Sequence, residues 1–178
     1  MKRSVVVLLL ACGCGSTPAV TNSDGSAALP DLSMAMGATI PDPGTGNAVG
    51  NNFGSVEPND SPSQATPLGI AMAGDVFTWV NNNMIGGGDT TDYFVFKSGP
   101  KASEFTLGVG GLCWMGAITN LSATLWKVTN HQQVLPAIHQ WQGNGTCVKS
   151  AKGDAPLEPN TDYLFGVTAT GGAGNYNA

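Results

Sequence analysis

The sequence predicts an all-β protein built as an antiparallel β-sandwich, and three observations support this. Short apolar stretches alternate with polar residues at a period of two, the pattern of a strand with one buried face. Turn-forming residues separate the stretches, and the chain contains 25 glycines and 11 prolines. No stretch shows a convincing helical pattern. With 178 residues, the chain is long enough for one modest domain with flanking segments.

The composition indicates where such a domain would work. Charged residues make up only 11% of the chain and the formal net charge is −5, so nucleic acid and anionic membrane surfaces are not expected partners. Few charges and many polar loop residues are typical of an extracellular β protein rather than a cytosolic helical enzyme.

The N-terminus predicts export. Lys2 and Arg3 precede an apolar run over residues 5–10 that is too short to span a bilayer. The following Leu-Leu-Ala-Cys resembles a bacterial lipobox, which implies a signal peptide over residues 1–11, lipidation at Cys12 and attachment to the membrane of the bacterial cell envelope. Cys14 is the alternative lipidated residue, and an ordinary cleaved signal is the alternative to a lipoprotein.

The remaining cysteines, Cys113 and Cys147, would lie in an oxidising compartment and are predicted to form a disulfide. Such a bond closes a loop of about 35 residues and would contribute roughly 3–4 kcal/mol. A metal site is the weaker alternative, because the chain has no Cys-x-x-Cys and no suitably spaced histidine.

Residues 12–55 are predicted to be a disordered tether. Small and polar residues dominate there and the segment cannot bury enough apolar surface to offset its ordering entropy. A more apolar patch over residues 29–36 is an alternative docking motif. From residue 56 onward the alternation predicts strands over residues 74–80, 93–97, 103–109, 121–128, 133–138, 146–148 and 163–169. In the second of these, Phe94 and Phe96 face one side and Tyr93 and Val95 the other, as in a half-buried strand.

Two acidic runs flank the start of the domain: residues 57–60, and Asp89 with Asp92. Carboxylates at a loop-to-strand junction are costly unless a cation or hydrogen-bond donor receives them. The sequence therefore predicts that the two runs meet over a calcium ion. The alternative is that Asp60 and Asp89 cap turns while Glu57 is solvated.

Residues 56–178 resemble the bacterial pre-peptidase C-terminal domain, a β-sandwich of jelly-roll type found on secreted proteases and surface proteins. The matching motifs are Glu57-Pro-Asn-Asp60, Asp89-x-x-Asp92-Tyr-Phe-x-Phe96, Asn160-Thr-Asp-Tyr163 and Gly174-Asn-Tyr176. The middle, residues 110–155, departs from the family and carries the two cysteines and both histidines.

The resemblance implies a calcium site, because collagen-binding members of the family hold calcium with the corresponding clusters. Calcium takes six to eight oxygen ligands. Ser55 stands where a further acidic ligand often precedes the first run. The implied ligands are Glu57, Asn59, Asp60, Asp89, Asp92 and Tyr93, the last through its backbone carbonyl.

No catalytic residues are predicted, since the chain has no His-Glu-x-x-His, no Gly-x-Ser-x-Gly and no phosphate-binding loop. His131 is interpreted as a loop histidine. The candidate ligand-binding residues are Trp141, Trp114 and His139, with Trp141 in a polar loop as the main candidate, and a cleft lined by the three would favour binding. Trp114 otherwise packs on the disulfide, and Trp79 and Trp126 fill the core.

Together these features predict a non-catalytic, surface-anchored lipoprotein whose sandwich binds an extracellular polysaccharide or protein. The alternatives are an accessory module of a secreted peptidase system and a purely structural envelope lipoprotein.

Overall fold

The computed structural model describes residues 39–46, 56–73, 83–86, 88–107, 112–131, 133–143, 147–148 and 155–177. These residues form an all-β sandwich with one short 3-10 helix, Pro62–Gln64. None of them forms a helix of the length and hydropathy required to cross a bilayer. The strands are β1 (Thr66–Ala71), β2 (Asn83–Gly86), β3 (Thr91–Ser98), β4 (Ser103–Phe105), β5 (Leu112–Gly116), β6 (Asn120–Thr129), β7 (Gln133–Gln142), β8 (Cys147–Val148), β9 (Ala155–Leu157), β10 (Asp162–Thr170) and β11 (Ala173–Asn177).

The larger sheet has the strand order β1-β3-β10-β6-β7. All of its neighbouring pairs are antiparallel except β1 and β3, which are parallel. A parallel pair needs a crossover between its strands. Strand β2 lies between them in sequence but belongs to the other sheet, so the chain leaves the larger sheet and returns. The antiparallel prediction is wrong for this one pair.

The second sheet has the order β2-β11-β5-β8, and strands β4 and β9 form a separate pair. The predicted disulfide is confirmed: Cys113 and Cys147 lie directly opposite each other on β5 and β8 and are bonded. The predicted strands beginning at residues 121, 133 and 163 are confirmed as β6, β7 and β10, although β7 extends to Gln142. The strand predicted over residues 103–109 is shorter in the structure, and that over 74–80, with Trp79, lies outside the described residues.

The main core lies on the inner face of the larger sheet. Strand β3 contributes Phe94 and Phe96 to this core, as its alternation predicts, and both are fully buried. Tyr93 and Val95 face the other way but are also buried, in a second cluster with Leu164. The prediction of a half-buried strand is therefore wrong, because both faces of β3 are covered.

The cover on the outer face comes from residues 39–46. Ile40 belongs to the second cluster and is 2% exposed, and its N–H donates to the carbonyl of His131 at 2.7 Å. The predicted tether over residues 12–55 is therefore wrong for residues 39–46, which pack on the domain. The composition did not indicate this packing because a single isoleucine among prolines and glycines forms no periodic pattern of apolar residues. The signal peptide, both N-terminal cysteines and the patch at 29–36 lie outside the described residues.

Candidate metal centre

The parallel pairing of β1 and β3 brings the two acidic runs together. Thr66 of β1 lies opposite Phe94 of β3, so the segment before β1 runs beside the start of β3. The N–H of Tyr93 donates to the carbonyl of Asn59 at 3.0 Å and fixes this approach. The predicted meeting of residues that are about thirty positions apart is therefore confirmed.

Four carboxylates form the centre. Each of them offers an oxygen, and these four oxygens all lie within 4.8 Å of one another. Carboxylate oxygens are the ligands that hard cations prefer, so the cluster can hold a metal ion. The four residues are Glu57, Asp60, Asp89 and Asp92.

Asp92 is the most deeply placed of the four. It is fully buried, and its Oδ2 accepts a hydrogen bond from the hydroxyl of Tyr176 at 2.5 Å. Burial raises the pKa of Asp92 to about 7; the Tyr176 hydrogen bond opposes this rise and the neighbouring carboxylates add to it. Burial also raises the pKa of Tyr176 well above its ordinary value, and the nearby Asp92 raises it further. The phenol therefore stays a donor to Asp92.

The environment of Asp89 also disfavours the ionised form of its carboxyl group. Burial, together with the charges of Asp60 and Glu57, raises its pKa to about 6. The N–H of Thr91 donates to this carboxylate and lowers the pKa, as the turn-capping alternative expects. Its Oδ1 is buried with no hydrogen-bond partner. Capping therefore accounts for only part of the environment of Asp89.

Asn59 is buried beside the carboxylates, and its amide group can serve them in two ways. With its nitrogen turned toward them, it donates to Glu57 Oε2 at 3.0 Å and to Asp92 Oδ1 at 3.2 Å. With its oxygen turned toward them, it would add the neutral ligand that the sequence predicts for a bound cation. The ring of Tyr93, the sixth predicted ligand, packs 6.2 Å from Trp126 in the outer cluster.

The predicted cleft of Trp141, Trp114 and His139 is wrong. Trp141 is 4% exposed and lies in β7, where it packs against Phe105 and Phe165 in the main core. The residues on either side of Trp141 are polar because they face outward from a strand, and such alternation resembles a polar loop in the sequence.

Trp114 does not present a free surface either, whereas His139 is half-buried. Trp114 is 6% exposed, belongs to the core, and donates from Nε1 to the carbonyl of Ile118 at 3.1 Å. The ring of His139 lies 4.6 Å from that of Trp141. The core placement predicted for Trp126 is confirmed. His131 lies in the turn between β6 and β7, with its Nε2 3.4 Å from Asp162 Oδ2.

Sequence reasoning missed the role of Tyr176. An aromatic residue in the last strand was noted, but nothing in its local pattern connects it with a carboxylate 84 positions earlier. Comparison of the sequence with protein-family models and with curated proteins finds no match. The function is therefore argued from the geometry of the acidic centre.

Proposed function

We propose that the acidic centre binds one calcium ion, which stabilises the sandwich of an exported, lipid-anchored and non-catalytic module. The observation that carries this proposal is the convergence of four carboxylates from two distant parts of the chain. Glu57 and Asp60 come from the segment before β1, and Asp89 and Asp92 from the start of β3. An ion between them would join these two parts.

The dimensions of the centre can accommodate calcium. Two oxygens on opposite sides of a calcium ion lie about 4.6–5.2 Å apart, which is twice the usual calcium–oxygen distance, whereas magnesium requires about 4.0–4.2 Å. The oxygens of the centre lie within 4.8 Å of one another, a limit that both ranges meet, so the choice of calcium rests on the resemblance to the pre-peptidase C-terminal domain. The Asn59 amide oxygen and water would complete the coordination.

The electrostatics favour a divalent cation of any kind. Asp89 and Asp92 have raised pKa values because burial and neighbouring carboxylates disfavour their charged forms. A bound cation reverses this balance, since it favours the ionised carboxylates. Binding would therefore release protons and stabilise the folded state, which is the only state in which the four residues are close together.

A calcium titration followed by melting temperature tests the site. At a calcium concentration of 100 times Kd we expect about 2.7 kcal/mol of stabilisation, or roughly 5–10 °C for a domain of this size. Asp89→Ala and Asp60→Ala should abolish the shift, whereas Glu104→Ala, an exposed carboxylate on β4, should leave it intact. An unchanged melting temperature at millimolar calcium would refute the proposal, and a shift of equal size with magnesium would refute the preference for calcium.

The anchored location is supported by the Leu-Leu-Ala-Cys run at the N-terminus, and the motifs shared with the pre-peptidase C-terminal domain support a jelly-roll module of secreted proteins. Metabolic labelling with a radioactive fatty acid tests the anchor. Cys12→Ser should lose the label and Cys14→Ser should retain it. If neither the parent protein nor the variants carry the label, the proposed lipid anchor is refuted.

The module's partner in this proposal is an extracellular polysaccharide or protein. The burial of Trp141 and Trp114 favours a second candidate, a purely structural envelope module, because it removes the aromatic surface expected to bind such a polymer. Glycan and collagen arrays probed with the calcium-loaded protein distinguish the two. Specific binding supports the first candidate, and its absence across both arrays supports the second.

A further inference from the structure

Residues 39–46 occupy a groove on the outer face of the larger sheet, and we name this segment the strap. Ile40 is the side chain that enters the groove, where it is 2% exposed. Pro43 is buried as well. The apolar side chains that share the cluster with Ile40 are Ala65, Tyr93, Val95, Trp126, Val128 and Leu164.

The backbone of the strap is hydrogen-bonded to the edge of the larger sheet, although the strap is not itself a strand. The N–H groups of Gly69 and Ile70, on the edge strand β1, donate to the carbonyls of Pro43 and Gly46 at 2.6 and 2.8 Å. Backbone hydrogen bonds combined with one anchored side chain are the interactions by which sheet edges recognise peptides in trans. The groove is therefore a binding site for this sequence, whichever chain supplies it.

The connection between the strap and the domain is longer than the distance it has to cover. Gly46 lies beside Ile70, and the N–H of Val56 donates to Thr66 Oγ1 at 3.3 Å. Thr66 and Ile70 are four positions apart on β1, or roughly 13 Å. The nine residues between Gly46 and Val56 can extend to about 30 Å. This surplus allows the strap to reach the groove of an adjacent copy.

We propose that the strap is exchangeable and that a second copy of this chain is the partner the groove accepts, in a dimer with two reciprocally exchanged straps. Exchange keeps every contact of the strap and closes a symmetric pair, in which each copy gives and receives the same segment. This inference does not depend on the calcium site or on the lipid anchor.

Concentration decides which arrangement is populated. A strap joined to its own domain by only nine residues competes for its own groove at an effective concentration on the order of 1 mM. The chain should therefore be monomeric when dilute and should dimerise as its concentration approaches that value. Copies crowded on a surface would reach it more readily than copies in free solution.

The test uses the full chain with Cys12→Ser and Cys14→Ser, so that neither lipid nor a free thiol joins the copies. Light scattering should show the mass rising from one chain toward two between about 10 μM and 1 mM. Mixing ordinary and nitrogen-15-labelled protein should give dimers of intermediate mass in native mass spectrometry. Ile40→Val should behave like the parent protein, and Ile40→Asp should remain monomeric.

A peptide covering residues 38–46 separates strap exchange from any other dimer. In excess it should convert dimers to monomers, whereas the same peptide with Asp in place of Ile40 should have no effect. The proposal is overturned if the protein is monomeric near 1 mM, or if its dimers survive both the peptide and Ile40→Asp. If Ile40→Asp fails to fold, competition by the two peptides on the parent protein decides the question.

Discussion

Two neighbouring parts of strand β3 bury very different side chains on the same face. Phe94 and Phe96 enter an apolar core that other residues of the domain complete. Asp92, two positions earlier, is equally buried but lies among carboxylates, with one hydroxyl donor from Tyr176. The comparison teaches that one part of the strand is completed by apolar contacts within the protein, while the other gathers like charges that a bound cation would stabilise. Mutations in the two parts should therefore respond differently to calcium.

The largest effect is expected in the apolar part. The ring of Phe96 stacks on Phe105 and Tyr163 at centroid distances of 5.6 and 5.5 Å. Phe96→Ala should lower the free energy of unfolding by about 3–5 kcal/mol, because it removes a fully buried ring and leaves a cavity. Urea denaturation should give the same loss with and without calcium. Rescue of this variant by calcium would show that the two parts of β3 are not independent.

The second prediction concerns Tyr176, which fixes Asp92. Tyr176→Phe should cost roughly 1.5–3 kcal/mol, because a hydrogen bond to a buried carboxyl group is lost. It should also weaken calcium binding by about 10- to 100-fold, as loss of a residue that orients a ligand does. Calorimetric titration measures the second effect.

Tyr163→Phe is the matched control for that variant. The hydroxyl of Tyr163 accepts a hydrogen bond from the N–H of Glu158 at 2.7 Å, and Tyr163 belongs to the apolar core. Its loss should reduce stability and leave the calcium affinity unchanged. Equal calcium affinities in the two variants would contradict the role of Tyr176 in orienting Asp92.

The third prediction is a pH dependence of the metal-free protein. The pKa values of Asp89 and Asp92 are raised from 3.8 to about 6 and about 7, so between pH 4 and 7 the folded state binds more protons than the unfolded state. Stability should therefore fall as the pH rises through this window, by on the order of 5 °C in melting temperature. In saturating calcium the fall should disappear. A metal-free melting temperature that rises from pH 4 to 7 would contradict the origin of these shifts.

The smallest effect on the metal-free protein is expected for Asp89→Asn. It removes one of the crowded charges, so the metal-free protein should gain about 1 kcal/mol at pH 7.5. The same change should remove most of the stabilisation by calcium. Thermal melts with and without a chelator check both effects, and Glu104→Gln on β4 is the control, for which neither quantity should change.

Sequence patterns predicted the elements that depend on local alternation. The strands around Phe94, Leu121 and Phe165 follow from side-chain period alone, and the acidic centre follows from two carboxylate runs that each needed a partner. Both are confirmed. These features could be predicted from the sequence because residues close together in the chain form the patterns that indicate them.

The remaining features depend on contacts between distant residues. Three features join segments that are far apart in the chain, and the local sequence of one segment does not indicate the other. They are the parallel pairing of β1 with β3, the anchoring of Ile40 and the hydrogen bond from Tyr176 to Asp92. The prediction that Trp141 lies in a ligand-binding loop was wrong for a related reason, since its polar neighbours are the outward-facing residues of a strand. A local pattern cannot report which surface a residue will meet when that surface is made by another part of the chain.

The position of β11 has a consequence for biosynthesis. This strand pairs with both β2 and β5 in the second sheet and carries Tyr176, yet it is translated after the ten other strands of the described residues. A nascent chain that has not yet reached residue 173 cannot join β2 to β5 or give Asp92 its donor. Assembly of that sheet must therefore wait until residues 173–177 have been synthesised.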